Sequence, residues 1–171
     1  MWTRSLAAAA LVALADTASA AAISTLNDAS GQAIYWGLTN TPTYGQTVTL
    51  DHAATLHTFE FRADDNGAPV SYEFQVYAWS GSSVTGPALY TGSGQTQGVP
   101  GFTDYAIDVG DLSLDPGQYV LLLVATSEGA VAFATSEGTY SEGSWVYQDD
   151  AWHVDDQIDL GFEVTFDGEG S

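Results

Sequence analysis

The 171 residues carry 22 acidic side chains against 2 basic ones, a formal net charge of −20, and no cysteine. So few cations exclude nucleic acid and anionic membranes as partners, because binding them depends on Lys and Arg neutralising phosphates. The lack of cysteine excludes thiol catalysis, thiolate metal sites and disulfides.

The chain opens like an export signal. Met1 to Arg4 is a short basic segment, residues 6–15 are mostly apolar, and Ala18-Ser19-Ala20 has the small-x-small pattern of a cleavage site. Residues 1–20 therefore read as a signal peptide, with cleavage between Ala20 and Ala22. The apolar run is too short to span a bilayer, which takes about 20 residues, so no membrane insertion is expected. Residues 21–171 suit one domain with one core, secreted or periplasmic. Removing residues 1–20 takes away Arg4 and Asp16 and leaves the net charge at −20. Repulsion among the remaining acids costs stability at low salt, so the composition fits a saline habitat. The acids are dispersed along the chain and read chiefly as a solvated face.

In chain order, residues 21–32 have little pattern. Strands are expected at 33–38, 44–50, 55–63 and 70–80, then a short edge-like strand at 88–91. Residues 92–101, rich in Gly, Gln and Ser, read as irregular. Further strands are expected at 102–109, 119–126, 131–135, 144–148 and 159–166. No stretch after the signal has helical periodicity with caps. About ten short strands without helices predict an all-β fold, an antiparallel β-sandwich or jelly roll.

Residues 119–126 are almost wholly apolar and follow a Pro116-Gly117 turn, which predicts a central strand. The pattern Leu114-x-Pro116-Gly117-x-Tyr119-x-Leu121 reads as a tyrosine corner, with the Tyr119 hydroxyl bonded back to the preceding loop. Residues 55–80 read as a hairpin about Asn66-Gly67. Symmetric pairing sets Ala63, Phe61, Phe59 and His57 against Val70, Tyr72, Phe74 and Val76 on an inner face. It sets Arg62, Glu60, Thr58 and Leu56 against Ser71, Glu73, Gln75 and Tyr77 on an outer one.

That pairing puts Glu60 opposite Glu73. Paired carboxyl groups about 5–5.5 Å apart serve retaining glycosidases, so a glycan-acting hydrolase is one reading. Arg62, the cation of residues 21–171, bridging the two acids is the structural one. Outer-face Glu73, Gln75, Tyr77 and Trp79 form a polar–aromatic stripe. Sugar-binding sheets present such stripes, because pyranose faces stack on rings while hydroxyls bond to amides and carboxylates. The competing reading covers Trp79 with other parts of the chain, as large aromatics usually are. Tyr140, Trp145, Tyr147 and Trp152 make a second aromatic cluster with the same two readings.

Ca²⁺ takes 6–8 oxygen ligands and is the cofactor these acids could hold. The candidate groups are Asp64, Asp65 and Asn66; Asp108, Asp111 and Asp115; and Asp149, Asp150, Asp155, Asp156 and Asp159. The last is the preferred site, although none has a defined calcium-loop spacing. The 3 histidines, His52, His57 and His153, lack the third neighbour that a zinc site needs. Gly-x-Ser-x-Gly and phosphate-loop motifs are absent.

Gly45-Gln46-Thr47, Tyr77-Ala78-Trp79, the segment Thr85-Gly86-Pro87-Ala88-Leu89-Tyr90, the Leu114 to Tyr119 turn and the closing Phe162 to Phe166 carry a family resemblance. Across Tyr44 to Phe166 the chain resembles exported single-domain β-sandwich proteins of Gram-negative bacteria, many of which bear a C-terminal PEP-CTERM sorting tail. The sequence ends at Asp167-Gly-Glu-Gly-Ser171 without that motif. The resemblance implies association with exopolysaccharide and supplies no catalytic residues. The expected function is a non-catalytic acidic β-sandwich that binds polysaccharide or extracellular matrix. The alternatives are the hydrolase and a self-assembling surface subunit.

Overall fold

The structure is a computed structural model that describes residues 20–167; the signal-peptide segment lies outside them. Thirteen strands are present: β1 (Ala20–Ser24), β2 (Gly31–Trp36), β3 (Thr43–Leu50), β4 (Ala54–Asp64), β5 (Ser71–Trp79), β6 (Val84–Gln95), β7 (Thr103–Leu114), β8 (Gly117–Ala125), β9 (Val131–Ser136), β10 (Trp145–Gln148), β11 (Trp152–Asp155), β12 (Asp159–Leu160) and β13 (Phe162–Asp167). The helical element among the described residues is one 3-10 turn, Leu26–Asp28. No described helix is long and apolar enough to cross a membrane.

The strands form two sheets with antiparallel pairing, and the chain is an all-β sandwich. The six-stranded sheet runs β11-β10-β3-β8-β5-β6. In the seven-stranded sheet, β4 pairs with β7 on one side and with β13 and then β9 on the other; β1 flanks β13, and β2 and β12 pair with β9. Between the sheets lie Trp36, Phe59, Phe61, Phe74, Phe133 and Phe162, all fully buried.

The tyrosine corner forms. The Tyr119 hydroxyl donates to the Asp115 carbonyl oxygen at 2.8 Å, which ties the turn to the start of β8. β8 is central, between β3 and β5, and its apolar run is covered on both faces. Leu121 and Leu123 enter the main core, while Val120 and Leu122 join a second cluster on the outside of the sheet.

The expected β4–β5 hairpin does not form. The Asp64 to Pro69 connection is a tight turn, with Asn66 at φ 50° and Gly67 at φ 82°. It carries the chain from one sheet to the other, so β4 and β5 never pair. Apart from His57, the inner set was read correctly in composition but not in geometry. Phe59 stacks on Phe74 with centroids 4.9 Å apart, and Phe61 meets Tyr72 edge-on at 5.6 Å, across the sandwich. Alternation reports which side chains face apolar surroundings. It does not report whether the facing strand is a lateral neighbour or lies about 10 Å away in the opposite sheet.

Leu56, expected outside, is fully buried. A register shift on β4 between Leu56 and Thr58 isolates His57 in a bulge and reverses the alternation. His57 Nδ1 then sits 3.1 Å from an Asp111 carboxylate oxygen and Nε2 2.9 Å from one of Asp167.

β6 runs on into the glycine-rich segment read as irregular, because Phe74 pairs with Gly92 and Tyr72 with Gly94. β1 and β11 went unforeseen. Each is a short edge strand held by a single neighbour, β13 and β10 respectively.

Candidate functional site

Glu73, Gln75 and Tyr77 stand half-buried on the outer face of β5, beside exposed Thr91 and Ser93 of β6. The Gln75 side-chain amide donates to a Glu73 carboxylate oxygen at 2.8 Å. Trp79 corrects the sequence reading: it is only 7% exposed. Its ring meets Trp152 edge to face at 5.3 Å, above Val120, Leu122 and Val146. Trp79 is therefore a member of a small outer core rather than an open stacking platform.

The Trp79–Trp152 contact also shapes the face. β5 and β11 are four strand steps apart in the sheet order, roughly 19 Å at about 4.8 Å per step. The two indole rings bridge that span by lying over the strands between, where Val120, Leu122 and Val146 form their floor. Half-buried Trp152 and Tyr77 both pack against this outer cluster, and Tyr77 follows the Glu73–Gln75 pair along β5. The link between Trp152 and β5 was invisible in the sequence, where the two are far apart. The other members of that aromatic cluster, Tyr140, Trp145 and Tyr147, pack against the main core instead.

Glu60 and Glu73 sit in different sheets, so the carboxylate pair proposed for hydrolysis is not formed. Glu60 lies opposite Glu163 of β13 on one side and Ala106 of β7 on the other. Burial first, then the charges of Asp104 and Glu163, push its carboxyl above the usual range. Arg62 bridges neither acid of the expected pair. It forks onto Asp104 at 2.6 and 2.9 Å and donates to the Leu26 carbonyl at 3.0 Å. That charged fork holds the Asp104 carboxyl below the usual range.

The aspartates proposed for Ca²⁺ do not converge. Asp149 accepts from the Ala151 amide and pairs with His153 at 3.0 Å. Asp155 accepts from the Gln157 amide, and Asp156 from the Gln157 side chain. Asp150 is exposed. Asp159 is 1% exposed and engaged inside the protein, taking the Gln46 side-chain N–H at 2.8 Å and the Tyr140 backbone N–H at 2.9 Å. In the turn between β4 and β5, Asp64 accepts from the amides of Asn66 and Gly101, and Asp65 from those of Gly67 and Gly98. These acids staple two loops together. Among the described residues no three His or acidic side chains gather as a metal-holding group.

This dispersion sets an expectation for salt. Carboxylate repulsion is screened over about 10 Å at 0.1 M salt and about 3 Å at 1 M, so the melting temperature rises steeply from low to molar NaCl. Ca²⁺ and Mg²⁺ at equal ionic strength should act alike in the same melts. A Ca²⁺-specific increment erased by Asp155→Asn with Asp156→Asn would place a site in that loop after all.

Fold and face together define a two-sheet antiparallel β-sandwich whose six-stranded sheet carries a small apolar cluster on its outer side. No family model matches the chain, and no curated protein does. Its fold is similar to a structure of the cysteine protease and lectin-like domains of Cwp84, a surface layer associated protein of Clostridium difficile, at 11% identity and TM-score 0.47 over 81% of this chain. A second structure of that clostridial protease, after propeptide cleavage, gives 12% identity and TM-score 0.47 over 84%. A structure of infectious bursal disease virus, Gx strain, gives 10% and 0.35 over 90%. The match takes in 36%, 41% and 41% of those three chains.

Proposed function

We propose that this protein is an exported, non-catalytic, acidic β-sandwich that binds carbohydrate or extracellular matrix on the outer face of its six-stranded sheet. The observation that carries the reading is the outer face of β5, where half-buried Tyr77 follows the hydrogen-bonded Glu73–Gln75 pair and packs on the same aromatic cluster as Trp152. Ring faces of this kind stack on the apolar side of a sugar, while amide and carboxylate take its hydroxyls. The charge balance favours a neutral ligand, since Arg62 is committed to Asp104. The hydrolase reading loses its premise with the Glu60–Glu73 pairing.

Retention on immobilised neutral polysaccharides tests the proposal. Tyr77→Ala and Gln75→Ala should each weaken retention about tenfold, ~1.4 kcal/mol, with little change in melting temperature, because both side chains are half-buried. Retention that neither substitution alters would remove the face from consideration.

A further inference from the structure

β6 and β7 are edge strands of opposite sheets, each paired on one side only. They flank a cleft of 430 Å³ at the open seam of the sandwich. That volume falls within the range of about 300–1,000 Å³ usual for small-molecule sites. The cleft lies on the inner side of β6, away from the outer face of the six-stranded sheet. Its lining includes Tyr72, Tyr90, Gly94, Gln97, Asp104 and Tyr105.

Tyr72 is the unusual member. It is 5% exposed, and its hydroxyl, which makes no hydrogen bond to the described residues, is not among the enclosed polar atoms and so opens on the cleft. Burial pushes this phenol up to about 12, so it remains a neutral hydroxyl able both to donate and to accept. The hydroxyl points toward Gly94 of β6, where an added Cβ would lie 2.6 Å from its oxygen. At Gly92 a Cβ would lie 2.8 Å from the Tyr90 hydroxyl. Glycines inside a strand weaken it and mark places where something must approach closely.

The rest of the lining is held in place. The Tyr90 hydroxyl donates to the Asp108 carbonyl at 3.2 Å, and the Tyr105 hydroxyl accepts from the Gln97 amide at 3.4 Å. Asp104 is fixed by the Arg62 fork. The cleft thus offers aromatic rings, an unused hydroxyl, an amide side chain and carboxylate oxygens. Its one adjacent cation is already neutralised, which disfavours an anionic ligand.

We propose that the β6–β7 cleft is a binding site for one neutral pyranose ring, with the Tyr72 hydroxyl bonding a sugar hydroxyl. The inference rests on the carbohydrate reading for the class of ligand and adds a second site to it. The test is a titration of the ¹⁵N-labelled protein with methyl α-glucopyranoside, methyl α-mannopyranoside and methyl β-galactopyranoside, followed at the Gly92, Gly94 and Gln97 amides.

At least one glycoside should shift these amides saturably. Tyr72→Phe should weaken that binding about tenfold without lowering the melting temperature, since the hydroxyl it removes has no partner in the protein. Gly94→Ala should abolish it by filling the space beside the hydroxyl. Tyr77→Ala, on the outer face of the sheet, should leave the shifts unchanged. No shift with any of the three glycosides, or shifts indifferent to Tyr72→Phe, would overturn the cleft site. Loss of polysaccharide retention in Tyr77→Ala alongside a silent cleft would do so while sparing the face. Cleft shifts with retention unaffected by Tyr77→Ala would support the cleft and remove the face.

Discussion

Asp159→Ala should destabilise the protein by about 2–4 kcal/mol, the largest effect expected of any acidic residue in the chain. Asp159 is one of the 22 acids and among the few that are buried. Its two carboxylate oxygens take N–H groups from Gln46 and Tyr140, while the Gln46 side-chain oxygen accepts the Leu160 amide at 3.0 Å. One side chain therefore joins β3, β12 and the segment before β10. Burial pushes its carboxyl above the ordinary range, against the pull of those hydrogen bonds. Truncation leaves buried donors without acceptors, and each costs about 1–3 kcal/mol, partly offset by removing a charge that was costly to bury.

For a domain of this size the loss corresponds to a fall of roughly 5–15 °C in melting temperature. Asp159→Asn keeps one acceptor and should lose less. The melts belong in chelator. A loss equal with and without Ca²⁺ identifies a structural hydrogen-bond hub. A loss that appears only when Ca²⁺ is present would return Asp159 to the metal site expected from the sequence.

Trp79→Ala should cost about 3–5 kcal/mol, as truncation of a buried aromatic does. The ring covers Val120 and rests edge-on against Trp152. Its loss uncovers apolar floor as well as forfeiting its own contacts. Trp152→Ala should cost less, because that residue is half-buried and on an edge strand. Combining the two in a double-mutant cycle should give a coupling of about 0.5–1.5 kcal/mol, the range of an aromatic pair. A Trp79→Ala protein that melts like the parent would mean that the ring is free, and the sugar stripe would regain its fourth member.

Much of the architecture was legible. The all-β class followed from short strands punctuated by Gly, Pro and Asn. The tyrosine corner followed from Leu114, Pro116, Gly117 and Tyr119, because turn and hydroxyl acceptor lie within a few residues of each other. The inner set Phe59, Phe61, Tyr72 and Phe74 followed from period-two alternation. Leu56 did not, because a bulge at His57 shifts the phase by one residue and leaves no trace in a pattern read by strict alternation.

What the sequence determined by itself, then, was local: charge, turns, most of the strands and which side chains seek a core. Those properties depend on a residue and its near neighbours along the chain. The tertiary structure alone decided the partners. It placed β4 and β5 in opposite sheets, gave Arg62 to Asp104, withdrew Asp159 into a hydrogen-bond hub and brought Trp152 over Trp79. Each of these is a contact between segments distant along the chain. Two amphipathic strands satisfy the same burial pattern side by side or face to face, and only the packing of all thirteen selects between them.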